Sequence, residues 1–263
     1  MATMGARKRM SSYRQWGSTE DGAIEFESLT DDTLSGAIEI MRKSFFIREN
    51  VCKGVELAVE PEAIEELIQL CLNAAKDGVS VVAIDVESME VVGALFNKIQ
   101  VLGNPTDKSS FELFGENCKC KSSKALVDFM IDIDSQINLF EHYNVKCILE
   151  MMFLGTLAGY SGRKIGELLV SSSLEIAREL KRGNPVKMPV TINDSNVIEN
   201  YDAVPTLSSA IMTSIYSKKI GVKLGFEELL ERNFDQYEFN GKKFSDKIDK
   251  EHRTFVLVAK RIL

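Results

Sequence analysis

The chain has 263 residues, 44% of them hydrophobic, and a net charge of −7 from 39 acidic and 32 basic residues. That is enough apolar material to bury one sizeable core or two small ones. An acidic balance argues against a nucleic-acid partner, and no apolar run is long enough to span a membrane.

Residues 1–20 mix Arg7, Lys8, Arg9 and Arg14 with Ser and Gly, without the apolar run of a secretory signal. They are expected to form a flexible tail ahead of one domain over residues 21–263. Residues 23–29 alternate apolar and polar, as a strand does. Asp31 or Asp32 is expected to cap a helix running through Ile38, Ile40 and Met41 toward Phe45. Pro61 opens a second helix with Ile64, Leu67, Ile68 and Cys71 at helical spacing, and Gly78 ends it. Residues 79–84 and 91–101 read as a hairpin turning over 85–89, followed by a loop over 103–121. A third helix is expected over 124–140, an apolar strand over 146–156 and a long helix over 165–180. Residues 185–205 are irregular and hold Pro185, Pro189 and Pro205. A short buried strand over 209–213, a helix over 217–224 stopped by Gly225, and strands over 226–231 and 254–260 complete a mixed α/β domain.

The five cysteines, an odd count at irregular spacing, predict free thiols in a reducing, cytoplasmic compartment. Cys118 and Cys120 are the only close pair, and the two histidines, His142 and His252, lie far off in sequence. No metal is expected.

The clearest chemistry lies over residues 153–169: a buried strand, a Gly- and basic-rich turn, then a long helix. The first helical turn leaves backbone N–H groups unpaired, and the helix dipole puts partial positive charge there, which suits a diphosphate. Gly162 and Gly166 allow close approach to the backbone, and Arg163 and Lys164 add full charges. An ordinary strand–turn–helix with a polar cap fits this segment equally well. Neither P-loop spacing nor a three-glycine dinucleotide fingerprint is present.

The turn Tyr160-Ser161-Gly162-Arg163-Lys164-Ile165-Gly166 resembles the acetyl-CoA motif of the GCN5-related N-acetyltransferase superfamily, Arg/Gln-x-x-Gly-x-Gly/Ala. Ser161 stands where Arg or Gln is usual and Lys164 where the first Gly is usual; Gly166 matches. Residues 210–227, with Thr213-Ser214-Ile215-Tyr216-Ser217 and Lys223-Leu224-Gly225-Phe226, resemble the insect-type arylalkylamine N-acetyltransferases. So do residues 237–244, Glu251-His252 and the final strand. The resemblance implies a central, mostly antiparallel mixed sheet flanked by helices. It further implies acetyl-CoA as cosubstrate, a small amine as acceptor, a monomer, and neither nucleic-acid nor membrane partner.

Site residues follow from the resemblance position by position. The family's Phe-Phe-x-Asp-Glu-Pro-Leu stretch, which carries its general base, reads here Phe45-Phe46-Ile47-Arg48-Glu49-Asn50-Val51. Glu49 falls on the base, Arg48 replaces an acid, and Asn50 replaces a proline. Glu49 paired with Arg48 as a plain surface acid is the competing reading. Ser217 and Thr213 match hydroxyl positions near the transferring group, Tyr216 is a candidate donor to the departing thiolate, and His252 a candidate relay. Ser217 as a helix N-cap, Tyr216 as packing and His252 as a structural residue are their ordinary alternatives. Glu150 is expected to anchor the amine or sit in an ion pair, on one strand face with Met152 and Leu154. The backbone of Leu154 and Thr156 is expected to pair with the pantetheine arm, and residues 161–166 with the phosphates. Phe45 and Phe46, with Phe129 and Phe140, are the candidate aromatic wall for the acceptor, and packing in the core is the ordinary alternative for each. The activity implied is transfer of acetyl to an arylalkylamine of the dopamine, tyramine, octopamine or serotonin type. The alternatives are an impaired coenzyme A- or amine-binding protein on the same fold, or an acetyltransferase for polyamines or other amines.

Overall fold

The structure is a computed structural model and describes residues 15–104 and 108–263. Its centre is an eight-stranded sheet in the order β1 (Gln15–Ser18), β2 (Ile24–Ser28), β3 (Val81–Asp85), β4 (Val91–Val101), β5 (Cys147–Thr156), β6 (Leu207–Met212), β10 (Thr254–Arg261) and β7 (Glu227–Asn233). A separate pair, β8 (Glu238–Phe239) and β9 (Lys242–Lys243), lies outside it. Every neighbouring pair in the large sheet is antiparallel except β5 with β6.

Helices cover both faces, so each face buries its own apolar cluster. On one side lie α1 (Asp31–Ile40), a π-helical turn over Met41–Phe45, α2 (Phe46–Arg48), α3 (Asn50–Gly54), α4 (Pro61–Ala75), α5 (Ser110–Asn117) and α6 (Lys121–Ser135). They enclose a core that includes Phe46, Leu67, Phe96, Phe153 and Phe255. The other core packs Leu149, Met151 and Val256 of the sheet against Ile165, Leu169 and Leu174 of α8 (Ile165–Lys181). A small cluster around α7 (Leu139–Tyr143) closes one end, and α9 (Ile215–Lys223) follows β6.

Five expectations change. The tail expected through residue 20 gives way at Gln15–Ser18 to β1, which pairs with β2; residues 1–14 lie outside the described residues. The first helix is capped by Thr30 rather than by an aspartate, with Thr33 closing the capping box. The loop over 103–121 contains α5, whose Ser109 and Glu112 form a capping box. The third helix ends at Ser135, and Asn138 caps the separate α7 by accepting from the Glu141 amide at 3.3 Å. The fifth change sets the site: Phe96 pairs with Phe153 but Asn97 with Met151, so Met152 is the extra residue of a β-bulge. Faces therefore switch at Met152. Phe153 packs beside Phe45 and Phe46, while Leu154 turns toward Gly166 of α8. Glu150 and Leu154 do not share a face.

Candidate active site

Parallel pairing of β5 with β6 runs only from Ile148–Leu207 to Met151–Ala210. Beyond the bulge the two strands part, and a cavity of about 960 Å³ opens between them. It is lined at one end by the turn before α8 and at the other by the segment from Ser44 to Lys53. Among the described residues no helix is long and apolar enough to cross a membrane, and no group of three or more His, Cys, Asp or Glu is placed to hold a metal ion.

At the first end, α8 starts without a side-chain cap. Its N-cap is Lys164, held at φ +60°, a left-handed conformation that costs a non-glycine residue about 1–2 kcal/mol. Ile165, Gly166 and Glu167, whose amides have no acceptor one turn earlier, all line the cavity. Gly162 takes φ +80° in open surroundings, so its requirement is the dihedral rather than space. The turn's side chains already have protein partners. The Ser161 hydroxyl donates back to the Ala158 carbonyl at 2.9 Å. Arg163 does not line the cavity; it donates to Asp21 at 3.1 Å and lies over the Tyr160 ring. Lys164 reaches outward to Glu20 at 3.4 Å. Leu154 and Thr156 lie along the open strand edge, where the Thr156 carbonyl already accepts from the Ser44 hydroxyl at 2.6 Å.

At the other end, the π-helical turn and α2 deliver Glu49 to the cavity wall. Glu49 is the N-cap of α3: one carboxylate oxygen accepts from the Cys52 amide at 2.8 Å, the other from the Thr213 hydroxyl at 2.6 Å. Asn50, 4% exposed, donates to the Thr213 carbonyl at 2.8 Å. Two side chains from α3 thus clasp the end of β6, a link that the sequence did not signal. Arg48 makes no pair with Glu49. It is exposed, lines the cavity and has no hydrogen bond or ion pair among the described residues.

Ser214, not Ser217, caps α9. Ser217 is three residues on, and the two exchange amide-to-hydroxyl bonds at 3.0 and 3.1 Å. Tyr216 is exposed and its hydroxyl donates to Glu251 at 3.0 Å, which raises its pKa above the ordinary phenol value. His252, 7% exposed, accepts the Ile215 amide on Nδ1 at 3.3 Å and turns Nε2 toward Glu251 at 3.5 Å. It thereby fixes the start of α9.

Phe45 lines the cavity, whereas Phe46 is fully buried in the core and is not part of its wall. Phe129 and Met130 of α6 add apolar wall; Phe140 packs in the small end cluster instead. Glu150 also lines the cavity, 8% exposed, and accepts from Gln100 at 2.8 Å. Burial pushes its pKa up to about 6, against the opposing hydrogen bond from Gln100 and charge of Lys98. Asp134, four residues past Met130 on α6, is raised further, by burial first and by the Glu150 charge second. Asp134 is a second acid that the sequence did not single out.

One cavity thus collects Glu49, Thr213, Tyr216, Ser217, His252, Glu150, Phe45, Leu154, Thr156 and most of the turn, and leaves out Phe46 and Arg163. No protein-family model matches the sequence. Solved structures do match in shape. Arylalkylamine N-acetyltransferase 2 from Aedes aegypti superposes with a TM-score of 0.70 at 22% identity, covering 91% of this chain and 99% of that one. A mosquito arylalkylamine N-acetyltransferase like 5b gives 0.65 at 16% identity, over 90% and 99%. The Drosophila melanogaster polyamine N-acetyltransferase that forms N-acetylagmatine gives 0.66 at 13%, over 90% and 99%. At these identities the likeness gives the fold: this chain has the GCN5-related N-acetyltransferase fold, as the resemblance implied.

Proposed function

We propose that the chain is an acyltransferase that moves the acetyl group of acetyl-CoA onto the primary amine of a small arylalkylamine by direct attack. The observation that carries this reading is the parting of β5 from β6 beside an uncapped helix start, all within one cavity. A strand edge without a partner suits the amide-bearing pantetheine arm, and the amides of residues 165–167 suit its diphosphate. The thioester then lies between Leu154 and the start of α9, and the amine enters from the side of Phe45 and Phe129.

An alkylammonium has a pKa of about 10, so a base must take its proton before nitrogen attacks. Glu49 takes that role, oriented by Thr213. The N–C bond forms and the C–S bond breaks. The thiolate leaves with a proton from the Tyr216 hydroxyl, the nitrogen gives up its second proton to solvent as the amide forms, and solvent returns a proton to Tyr216. Ser217 and His252 hold the first turn of α9, and with it Tyr216, in place. No acyl-enzyme and no metal are invoked. Five unpaired thiols support a reducing, cytoplasmic setting, and one chain supplies every group named, so a monomer suffices. Thiol release from acetyl-CoA across a panel of amines, beside calorimetric binding of coenzyme A, tests the reading. Tight binding with no turnover on any amine would make the chain a binding protein instead.

Glu150 and Asp134 favour a second acceptor class, amines carrying another cation such as a diamine or guanidino amine. Glu150, held above its ordinary pKa by burial on the cavity wall, and Asp134, raised by burial and by the Glu150 charge, gain when a cation enters beside Glu150. Selective turnover of diamines over arylethylamines in the same panel would choose it. The pair also has a stability signature. A carboxyl that ionises at about 6 when folded, against 4.5 otherwise, keeps its proton longer in the folded state, so stability falls as pH rises through that window. The cost above it is on the order of 2 kcal/mol, at about 1.36 kcal/mol per pH unit. Glu150→Gln is therefore expected to match the wild type near pH 4.5 and exceed its melting temperature by about 4–8 °C at pH 8. Identical pH profiles of melting would refute the assignment.

A further inference from the structure

Four cationic side chains other than histidine line the cavity: Arg48, Lys53, Lys164 and Lys219. Two are already engaged, Lys53 by Asp249 at 2.9 Å and Lys164 by Glu20 at 3.4 Å. Arg48 stands at the acceptor end beside Glu49. Lys219 stands at the opposite end, exposed, with no hydrogen bond or ion pair among the described residues. Its neighbours on α9 are spoken for: Lys218 bonds Glu231 at 3.2 Å, and Lys223 bonds Glu167 at 2.7 Å.

The position of Lys219 is set by the next residue. A methyl group placed on Gly166 would lie 3.4 Å from Ile220 Cδ1, so α9 rests against the first turn of α8. Lys219 is thereby carried into the same cavity on the helix that meets the first turn of α8. The turn's own cations are both engaged by acids, Lys164 by Glu20 and Arg163 by Asp21. Arg163 is outside the cavity, clamped between Asp21 and the Tyr160 ring, whose hydroxyl is itself held by Asp85 at 3.0 Å. An acidic clasp from the β1–β2 turn, Glu20 and Asp21, thus neutralises the two charges that the sequence assigns to phosphate.

We propose that Lys219 supplies the side-chain charge that holds the phosphates of coenzyme A, while Arg163 and Lys164 serve to fix the turn against Glu20 and Asp21. The proposal rests on the reading of the cavity as a coenzyme A site. The amides of α8 take the diphosphate edge-on, and a flexible ammonium opposite them neutralises what backbone dipoles leave uncompensated.

The experiment is calorimetric binding of coenzyme A, dephospho-coenzyme A and pantetheine to the wild type and to K219A, K219R, R163A and K164A. A charge-assisted contact predicts that K219A weakens coenzyme A binding about 10-fold or more, that K219R retains most of it, and that R163A and K164A change it less than about threefold. Pantetheine, which lacks every phosphate, should bind the wild type and K219A alike. A loss seen only with coenzyme A and not with its dephospho form would place Lys219 on the 3′-phosphate; a loss with both, on the diphosphate. Wild-type coenzyme A affinity in K219A, an equal loss of pantetheine, or a larger loss in R163A would overturn the assignment and leave the cavity reading standing. A wild type that binds no coenzyme A would overturn both.

Discussion

Glu49→Gln is expected to lower kcat/KM for amine acetylation by about 10²–10³-fold at pH 7 while leaving the melting temperature nearly unchanged. The rate follows from losing the proton acceptor, since general base catalysis contributes roughly 10²–10⁴-fold. The stability follows from the bonds Glu49 makes. A glutamine carbonyl still accepts the Cys52 amide, and its NH₂ donates to the Thr213 hydroxyl, which turns to accept. Glu49→Ala lacks both contacts and is expected to lose about 1 kcal/mol of cap energy as well as activity. Thr213→Val separates orientation from proton transfer, because it leaves the carboxylate in place and removes only the hydroxyl that orients it. Thiol release and thermal unfolding read both quantities. Full activity in Glu49→Gln would remove Glu49 from the chemistry. If Glu150→Gln were then inactive, the base would be Glu150, whose carboxyl lines the same cavity and ionises at about 6.

Most of the sheet was legible because alternation and apolar runs carry strands regardless of what packs on them. The elements that escaped were short or depended on distant partners. β1 has four residues and is defined by its pairing to β2, whose Ser28 hydroxyl receives the Trp16 indole N–H at 2.9 Å. The bulge at Met152 has no local signature: an extra residue in β5 is visible only against the register of β4, and it moved Leu154 off the face assigned by simple alternation. By contrast α5 had a readable signal in Ser109 and Glu112, a capping box that a loop reading overlooked. In the site, residue types marked Glu49 and Thr213 singly. Their 2.6 Å contact joins residues 164 apart in the chain, and Asn50 reads as a lost proline until its amide is found holding the Thr213 carbonyl. Asp134 and Lys219 carried no signal because exposed-looking charges on amphipathic helices are the commonest charges of all.

Gly78→Ala is expected to lower stability by about 3 kcal/mol and the melting temperature by about 6–12 °C, the largest structural effect predicted for a single methyl group. Two penalties combine. Gly78 has φ +69°, which costs an alanine about 1–2 kcal/mol. A Cβ there would also lie 2.7 Å from the Met188 carbonyl oxygen, a backbone atom that cannot swing aside. The contact matters because Met188 donates its amide to the Gly78 carbonyl at 2.9 Å, pinning the proline-rich segment 185–205 to the end of α4. Next door, fully buried Asp77 accepts from the Ile99 amide at 2.7 Å and Asn200 at 2.9 Å and pairs with Lys98 at 2.9 Å, so strand, helix and segment meet in one corner. That segment leads directly into β6, the strand whose departure from β5 opens the cavity. Gly183→Ala is the control: φ is +84°, yet nothing lies within 4 Å of the added methyl, so only the dihedral cost of about 1–2 kcal/mol remains. Equal losses at the two positions would mean that the crossing at Met188 yields freely, and that the corner does not hold β6 in place.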